Sequence, residues 1–344
     1  MGLQIGEIIP REEISLDSLK GKVLAVDAFN TLYQFLTTIR QPDGMPLTDK
    51  KGNVTSHLSG LFYRTTNLMT HGLKLVFVFD GKAPALKEKT HQLRREVKEE
   101  AAAKFETAET LAERAKYAAR TAYLTEEMIE ESKELIEALG LPVVQAPGEG
   151  EAQASFMARK EDVFACASQD YDSLAFGASK LIRNLTLARK RKLPSGLSVP
   201  VQTELIELPK VLNSLQIDLD QLICLGILSG TDYNPKGVRG LGPKKSLQIV
   251  RQHKSPAMIF KAVEAQLHEH GQELEFDWQK IFELFKKPSV TSKYNLKFKQ
   301  IDEEKIKNLL AKKHDFSEDR IESALKKVYA GKEELQQKSL KKFF

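Results

Sequence analysis

The chain has 344 residues, of which 41% are hydrophobic, and its 52 Lys and Arg against 47 Asp and Glu give a net charge of +5. This length and apolar content suffice for a folded core, while two cysteines and seven scattered histidines exclude a disulfide framework and disfavour a zinc site. Without a secretory leader or an apolar stretch of about 18 residues, the sequence predicts an intracellular, cytoplasmic protein with no membrane partner.

Three apolar runs that end at or near an aspartate alternate with helical stretches. The runs are KVLAVD, LKLVFVFD and VFACAS, and the aspartates are Asp27, Asp80 and Asp170. The alternation predicts an α/β fold with a mostly parallel central sheet flanked by helices. Because ligands bind at the carboxyl ends of such strands, we expect these acids to converge. Asp172 should join them, because residues i and i+2 of an extended segment point the same way.

Three further acids fit this pattern. QAPGEGEAQASFMA places Glu149 and Glu151 at the start of a helix, where capping or dipole complementarity is the ordinary role of a glutamate. ICLGILSGTDYNP ends an apolar helix at Gly230 and then presents Asp232. Seven carboxylates in one crevice require a cation, and an all-oxygen site favours Mg²⁺ or Mn²⁺. Two such ions can clamp the attacking and leaving oxygens of a phosphodiester, which is nuclease or phosphatase chemistry.

The segment 237–254, GVRGLGPKKSLQIVRQHK, carries five Lys or Arg and no acid. Its glycines are Gly237, Gly240 and Gly242, and the lysines after them are Lys244 and Lys245. The glycines predict a tight hairpin before a helix, whose backbone amides bind phosphate without regard to base sequence. A solvated basic loop is the alternative, and we interpret the basic stretch 187–196 in that way.

Together, the motifs VDAFNTLYQFL, GNVTSHLSGLFYRT, VFVFDGKAPALK, GEGEAQAS, SQDYDSLAFG and GTDYNPKGVRGLGPKKS resemble the flap endonuclease family of structure-specific 5′ nucleases. The resemblance runs from end to end in the family's order, and the compact C-terminus is similar to that of archaeal members. Ala83 departs from the proline that many relatives have. The resemblance implies a 5′-nuclease, PIN-like fold with a helical arch and a helix, two-turn, helix element. It also implies one nuclease domain over 1–330, in parts of about 1–100, 120–260 and 260–330, followed by a flexible tail, 331–344.

The resemblance also assigns the chemistry. The implied ligands of two Mg²⁺ ions, for which Mn²⁺ can substitute, are Asp27, Asp80, Glu149, Glu151, Asp170, Asp172 and Asp232. Lys87 and Arg94, seven residues apart on one helical face, are the implied contacts to the scissile phosphate. From the residues alone a solvated helix is the alternative, because 81–130 carries equal numbers of basic and acidic side chains.

The resemblance implies a set of DNA contacts as well. Tyr33 stacks on a nucleobase near the cut, whereas packing is its ordinary role. The other implied contacts are Arg40, Thr55, Arg64, Glu149, Gly230, Asp232 and the hairpin residues Gly237, Gly240, Gly242, Lys244 and Lys245. The hairpin carbonyls 237–242 are expected to hold a K⁺ ion against the duplex backbone.

The C-terminus resembles a sliding-clamp-binding motif. Leu340, Phe343 and Phe344 have i, i+3, i+4 spacing, so one helical turn presents all three on one side, and Gln337 leads the motif. The expected partner is the sliding clamp, PCNA, and the alternative is a tail packed on its own domain.

The predicted activity is Mg²⁺-dependent cleavage of a 5′ flap where it meets the duplex, with 5′ to 3′ exonuclease activity, in replication and repair. We expect a monomer. A phosphatase with an aspartyl nucleophile would explain DYD but not the basic hairpin, and a non-catalytic clamp-bound DNA adaptor would leave the acids unexplained.

Overall fold

The structure is a computed structural model that describes residues 2–340 except 42, 83, 109, 111, 112, 114–116, 118–120, 122, 186–189 and 193–197. The chain forms two compact units, each made of three separate segments. The first unit comprises Met1–Ile14, Asp80–Gln92 and Gln145–Ser292, and the second comprises Ser15–Phe79, Leu93–Val144 and Lys293–Phe344.

Nine strands lie in the described residues. They are β1 Glu12–Ile14, β2 Val23–Asp27, β3 Lys74–Phe79, β4 Val143–Gln145, β5 Ala165–Ala167, β6 Lys180–Arg183, β7 Lys190–Lys192, β8 Ser198–Pro200 and β9 Thr203–Glu207. The helices are α1 Ala28–Thr38, α2 Ser56–Thr70, α3 Glu88–Glu106, α4 Glu126–Ala138, α5 Gly150–Arg159, α6 Asp172–Ala175, α7 Leu208–Leu215, α8 Leu219–Ser229, α9 Pro243–Gln252, α10 Pro256–Glu269, α11 Trp278–Lys286, α12 Glu303–Lys307 and α13 Glu318–Leu340. Short 3₁₀ turns cover Leu16–Leu19 and Ala85–Lys87, and a π-helical segment covers Asn308–Lys313.

Parallel pairing is present in both units, as the alternating pattern predicts. In the second unit β2 pairs with β3 from Val23 opposite Lys74 to Asp27 opposite Val78. In the first unit β5 pairs in parallel with β6, and β9 pairs antiparallel with both β6 and β1. Strands β2 and β3 are rich in Val, Leu and Phe and are almost wholly buried, as expected for parallel strands that are covered on both faces. The α/β fold class is confirmed.

The core of the first unit surrounds α8. Its N-terminus is closed by a capping box in which Asp218 accepts from the Gln221 amide and the Gln221 side chain accepts from the Asp218 amide. Nine of its eleven residues, from Gln221 to Ser229, are buried, because residues 222–228 are apolar or small on every face of the helix. No single helix among the described residues has the length and hydropathy of a membrane span, and α7 with α8, bent by 78°, reaches those values only as a pair.

The basic stretch 187–196, interpreted as a loop, contains part of an antiparallel hairpin of β7 and β8, with Arg191 opposite Val199. The C-terminal segment is helical as far as Leu340, because α13 continues without a break from Glu318.

Candidate active site

The strand-end prediction holds for the first two aspartates. Asp27 is the last residue of β2 and accepts a hydrogen bond from the Asn30 amide at 3.0 Å, so it caps α1. Its side chain is buried. Asp27 lies in the second unit, and its convergence with the other acids remains a prediction from the sequence.

Asp80 directly follows β3 and opens the middle segment of the first unit. One carboxylate oxygen accepts from the Gly150 amide at 2.7 Å, and the Gly81 amide donates to the Gly148 carbonyl at 2.6 Å. A Cβ at Gly81 would lie 2.2 Å from the Ala146 carbonyl oxygen, so only glycine permits this approach. Burial raises the pKa of Asp80, to which the Glu149 charge adds, while the Gly150 amide and Lys87 oppose the shift.

Glu149 and Glu151 begin α5, as predicted, but capping is not the role of Glu149. Its side chain makes no capping bond. It accepts a hydrogen bond from the Tyr233 hydroxyl at 2.6 Å, and the Lys87 ammonium lies 3.0 Å from the same oxygen. Glu151 accepts from the Ser173 hydroxyl at 2.6 Å. Both glutamates therefore direct their side chains toward polar groups of the first unit.

Asp170 and Asp172 each accept a hydrogen bond from the N-terminal segment. The Gly2 amide donates to Asp170 at 3.2 Å, and the Leu3 amide donates to Asp172. A Cβ at Gly2 would lie 2.6 Å from an Asp172 oxygen, which excludes any larger residue without movement. The extended geometry expected for this pair is wrong, because Tyr171 has helical dihedral angles and Asp172 is the first residue of α6.

The charges around Asp172 are predominantly negative. Burial raises the pKa of its carboxyl group to about 7, helped by Asp170 and Asp232, while the Leu3 amide and Lys87 act in the opposite direction. A carboxyl group so strongly perturbed, beside other acids, is typical of a functional site.

Lys87 ends the 3₁₀ turn before α3 and lies among these acids. Its ammonium nitrogen is 3.0 Å from Glu149 and 3.6 Å from Asp232, and 5.5 Å from the centre of the Tyr233 ring. Burial alone would lower the pKa of Lys87, but the charges of Glu149 and Asp232 outweigh it, so the pKa is raised and the side chain stays cationic. Arg94 lies in α3, and its side chain is outside the described residues.

The first unit thus contains an acidic cluster, which we define as Asp80, Glu149, Glu151, Asp170, Asp172 and Asp232. Its donors are all carboxylate oxygens, the ligands that Mg²⁺ and Mn²⁺ prefer. Within the described part of the chain, no three His, Cys, Asp or Glu side chains already form a metal-binding group. Lys87 contacts two of the six acids, Glu149 and Asp232.

The hairpin prediction agrees with the backbone. Gly230 ends α8 with φ 114°, and Gly237 and Gly240 also have positive φ. The Val238 amide donates to the Leu228 carbonyl at 2.8 Å, which ties the turn to α8, and Gly242 is the N-cap of α9. Lys244 and Lys245 in the first turn of α9 are exposed, and Lys244 lies 3.7 Å from Glu7.

The remaining DNA-contact candidates lie in the second unit. Tyr33 is half-buried in α1, with the Lys98 ammonium 5.3 Å from its ring centre. Arg40 donates to the Gly44 carbonyl at 2.8 Å, which holds its side chain against the turn after α1. Thr55 is buried at the N-cap of α2 without a capping bond, and Arg64 is half-buried on α2.

The clamp motif falls at the edge of the described chain. Gln337 and Leu340 belong to α13, but their side chains, and residues 341–344 with Phe343 and Phe344, lie outside the described residues.

Sequence reasoning missed three residues of this site: Gly2, Ser173 and Tyr233. Ser173 and Tyr233 stand directly beside Asp172 and Asp232 in the motifs, so a hydroxyl next to each predicted ligand was a usable signal. Gly2 carries no such signal, because its contact joins residues 168 positions apart.

Two family models match the chain: the XPG N-terminal domain over residues 4–101 and the XPG I-region over residues 140–232. Flap endonuclease 1 of Hyperthermus butylicus is 52% identical over 95% of this chain and 94% of its own. Flap endonuclease 1 of Pyrococcus abyssi is 50% identical over 97% of this chain and 96% of its own.

Two solved structures also match the fold of this chain. The flap endonuclease-1 of Methanococcus jannaschii matches with a TM-score of 0.75 and 42% identity, covering 96% of this chain and 98% of that one. The catalytic core of Rad2 in complex with DNA substrate matches with a TM-score of 0.71, covering 94% of this chain and 97% of that one. At 23% identity, this match supports the fold alone.

Proposed function

The chain belongs to the flap endonuclease 1 family of XPG-type nucleases, and on that premise we propose how its residues cleave DNA. It is a structure-specific DNA endonuclease, a phosphodiester hydrolase, that cuts a 5′ flap at its junction with the duplex in replication and repair. The observation that carries the mechanism is the acidic cluster of the first unit with the Lys87 ammonium against Glu149 and Asp232.

A divalent metal fits the acidic cluster, and we assign two Mg²⁺ ions to the six acids together with Asp27, with Mn²⁺ able to replace them. When bound, such ions would act as Lewis acids and would lower the pKa of a bound water molecule to near neutral. The carboxylates would bind and orient the ions, and the Gly150 and Leu3 amides hold Asp80 and Asp172 in place.

Lys87 supports the reaction as a fixed positive charge. Its raised pKa keeps it protonated at neutral pH. Its position against Glu149, a proposed ligand of the divalent ions, supports a role in stabilising the negative charge that develops on the phosphate in the transition state. Arg94 is proposed to act beside it on the evidence of sequence resemblance only.

Recognition of the substrate is proposed to depend on backbone contacts and stacking rather than on base sequence. The turn from Gly237 to Gly242 presents amides and the exposed lysines of α9 to a duplex phosphate. Its carbonyls are the proposed K⁺ site. Tyr33 stacks on a base near the cut, and Arg40, Thr55 and Arg64 contact the strands beside it.

Cleavage of a nicked oligonucleotide with a labelled 5′ flap tests the proposal. We expect Mg²⁺-dependent cutting at the junction, no cutting in EDTA, and loss of cutting in Asp170→Ala or Asp232→Ala with flap binding retained. The matched control, Asp162→Asn, changes an exposed acid of the first unit and should cut normally. Near-normal cleavage by either cluster variant would refute the assignment. Release of phosphate from p-nitrophenyl phosphate would favour the phosphatase, and DNA binding without cutting would favour the adaptor.

The C-terminal motif is proposed to bind the sliding clamp through Gln337, Leu340, Phe343 and Phe344, independently of catalysis by the monomer. Buried aromatics carry most of the energy of such contacts. Replacing both phenylalanines with alanine should abolish clamp binding in a titration and leave cleavage by the free enzyme unchanged. Clamp affinity that survives would place the contact elsewhere, and loss of clamp-free cleavage would assign the phenylalanines to the nuclease fold.

A further inference from the structure

Two hydroxyl groups hold the two glutamates that begin α5. Tyr233 donates to an oxygen of Glu149, and Ser173 donates to an oxygen of Glu151, each at 2.6 Å. Tyr233 is 8% exposed and Ser173 is fully buried. The donors come from two different elements, the turn after α8 and the helix α6, and each directly follows a proposed metal ligand in sequence.

The Tyr233 contact joins three groups rather than two. The same Glu149 oxygen that accepts from the Tyr233 hydroxyl also lies 3.0 Å from the Lys87 ammonium, and that ammonium lies 5.5 Å from the centre of the Tyr233 ring. The hydroxyl therefore fixes the carboxylate, while the ring provides a cation–π contact for the lysine.

Ser173 is itself held in place on several sides. The Cys166 sulfur lies 3.3 Å from its hydroxyl, and Ser155 of α5 donates both to the Ser173 carbonyl and to the Glu151 carbonyl. These contacts hold α6 against α5, and the Ser173 hydroxyl lies 2.6 Å from Glu151. A group that is fixed in this way can orient a carboxylate more sharply than solvent can.

We propose that Tyr233 and Ser173 are positioning residues for the nuclease reaction: their hydroxyls fix the rotamers of Glu149 and Glu151, and the Tyr233 ring sets the position of Lys87. This inference rests on the proposed function, because it takes Glu149 and Glu151 as ligands of divalent ions and Lys87 as the phosphate contact. Tyr233 is assigned two separable tasks, and Ser173 is assigned one.

A series of variants separates the tasks. Tyr233→Phe removes only the hydroxyl, Tyr233→Leu removes the hydroxyl and the ring, and Ser173→Ala removes the second hydroxyl. Two controls remove similar groups from the second unit: Tyr329→Phe breaks a tyrosine–glutamate hydrogen bond of 2.8 Å to Glu303, and Ser132→Ala removes a buried serine hydroxyl.

The measurements are Mn²⁺ affinity by electron paramagnetic resonance and single-turnover flap cleavage across a Mg²⁺ titration. For Tyr233→Phe and Ser173→Ala we expect Mn²⁺ affinity and half-saturating Mg²⁺ to worsen by about 10-fold, the usual effect of losing a group that orients a ligand. Their rate at saturating Mg²⁺ should recover to within about 2-fold of the parent, because Lys87 keeps its ring contact. Tyr233→Leu should lose about 10-fold or more in saturating rate as well, since one cation–π contact is removed. Both controls should match the parent.

Unchanged Mn²⁺ affinity and Mg²⁺ dependence in both hydroxyl variants would overturn the proposal. Equal losses of saturating rate in Tyr233→Phe and Tyr233→Leu would overturn the separate role of the ring. If Tyr233→Leu does not fold, as judged by its thermal transition, Tyr233→Phe and Ser173→Ala still decide the role of the hydroxyls. A parent protein that binds Mn²⁺ but does not cut flaps would refute the proposed function, while the Mn²⁺ affinities would still test the positioning of the two glutamates.

Discussion

Each unit contains a group of charged side chains, most of which are buried, and the two groups differ in their balance of positive and negative charge. The acidic cluster of the first unit sets six carboxylates against the Lys87 ammonium. The second unit contains a histidine cluster, which we define as Asp49, His57, Glu131, Lys313 and His314. There, His314 lies 3.0 Å from Asp49 through Nδ1 and 2.8 Å from Glu131 through Nε2, and Lys313 contacts Glu131 at 2.6 Å.

The different charge balance shifts the pKa values of the acids in opposite directions. Burial alone would raise the pKa of Glu131, but His57, Lys313 and His314 together lower it to about 2. The pKa of Asp49 is also lowered, because hydrogen bonds from Asn53 and His314 outweigh its burial. In the acidic cluster the pKa values of Asp80 and Asp172 are raised instead. Compensating charges keep these acids ionised inside the fold, whereas an excess of one sign costs stability and marks a site for a ligand of the opposite sign. Four predictions test this contrast.

The largest effect is expected for Asp172→Asn, which keeps an acceptor for the Leu3 amide but removes a charge. Flap cleavage should fall by on the order of 10²-fold or more, because Asp172 is one of the proposed ligands of the divalent ions and its negative charge is lost. In EDTA at pH 7.5 the melting temperature should rise by roughly 2 to 4 °C, which corresponds to about 1 kcal/mol.

The sign of that shift follows from linkage. The folded pKa of Asp172, about 7, lies above the usual value of 3.8, so the folded state holds the proton more tightly and stability is lost as pH rises from about 4 to 7. Asp172→Asn should flatten this dependence. A melting temperature below that of the parent at pH 7.5 would contradict the view that the acidic cluster costs stability.

Lys87→Ala should show the next largest effect. It should lower the single-turnover rate at saturating substrate by on the order of 10²-fold with little change in flap affinity, because a positive charge is lost where negative charge develops. Lys82→Ala is the control, since Lys82 is exposed in the same segment. A variant that loses affinity but keeps its saturating rate would show that Lys87 binds DNA rather than serving the reaction.

Glu131→Gln tests whether the histidine cluster stabilises the fold. Removing this carboxylate leaves the buried His314 ring with one acidic partner, and we expect the free energy of unfolding to fall by about 3 kcal/mol, as for a broken buried ion pair. Flap cleavage at 25 °C should stay within about 2-fold of the parent, because the change costs stability and not a reacting group. Chemical denaturation at pH 7 measures the loss.

The pH dependence provides a check on Glu131→Gln. Since the folded pKa of Glu131, about 2, lies below its usual 4.5, its contribution is present above pH 4.5 and is lost as pH falls toward 2. The stability gap between parent and variant should therefore narrow in acid. A constant gap would mean that packing, and not charge, accounts for the loss.

The smallest effect is expected for Lys313→Met. The Lys313 side chain is 48% exposed, so its ion pair with Glu131 is screened by water and is worth about 0.2 to 1 kcal/mol. Chemical denaturation in low and in high salt measures the difference, which should shrink in 1 M NaCl. A loss as large as that of Glu131→Gln would show that the cluster depends on its exposed cation rather than on the buried histidine.

Much of the site could be predicted from local sequence. The apolar runs before Asp27 and Asp80 predict strands that end at an acid, because buried parallel strands need continuous hydrophobic residues and end where polarity begins. Pro and Gly before Glu149 predict the start of α5, and glycines 237, 240 and 242 predict the turn before α9. These features depend on neighbours in the chain, so the order of residues is enough to reveal them.

The partners of the acids were decided by tertiary structure alone. Tyr233 meets Glu149 across 84 positions, Gly2 meets Asp170 across 168, and His314 meets Asp49 across 265. The helical start at Asp172, where the sequence predicted an extended segment, was also decided by the tertiary structure. By itself the sequence determined the strands that end at Asp27 and Asp80, the start of α5 and the turn before α9, because backbone preferences act over a few residues. Which hydroxyl, amide or ammonium reaches each carboxylate depends on how distant segments pack, and that packing sets both the burial and the charges that shift the pKa values.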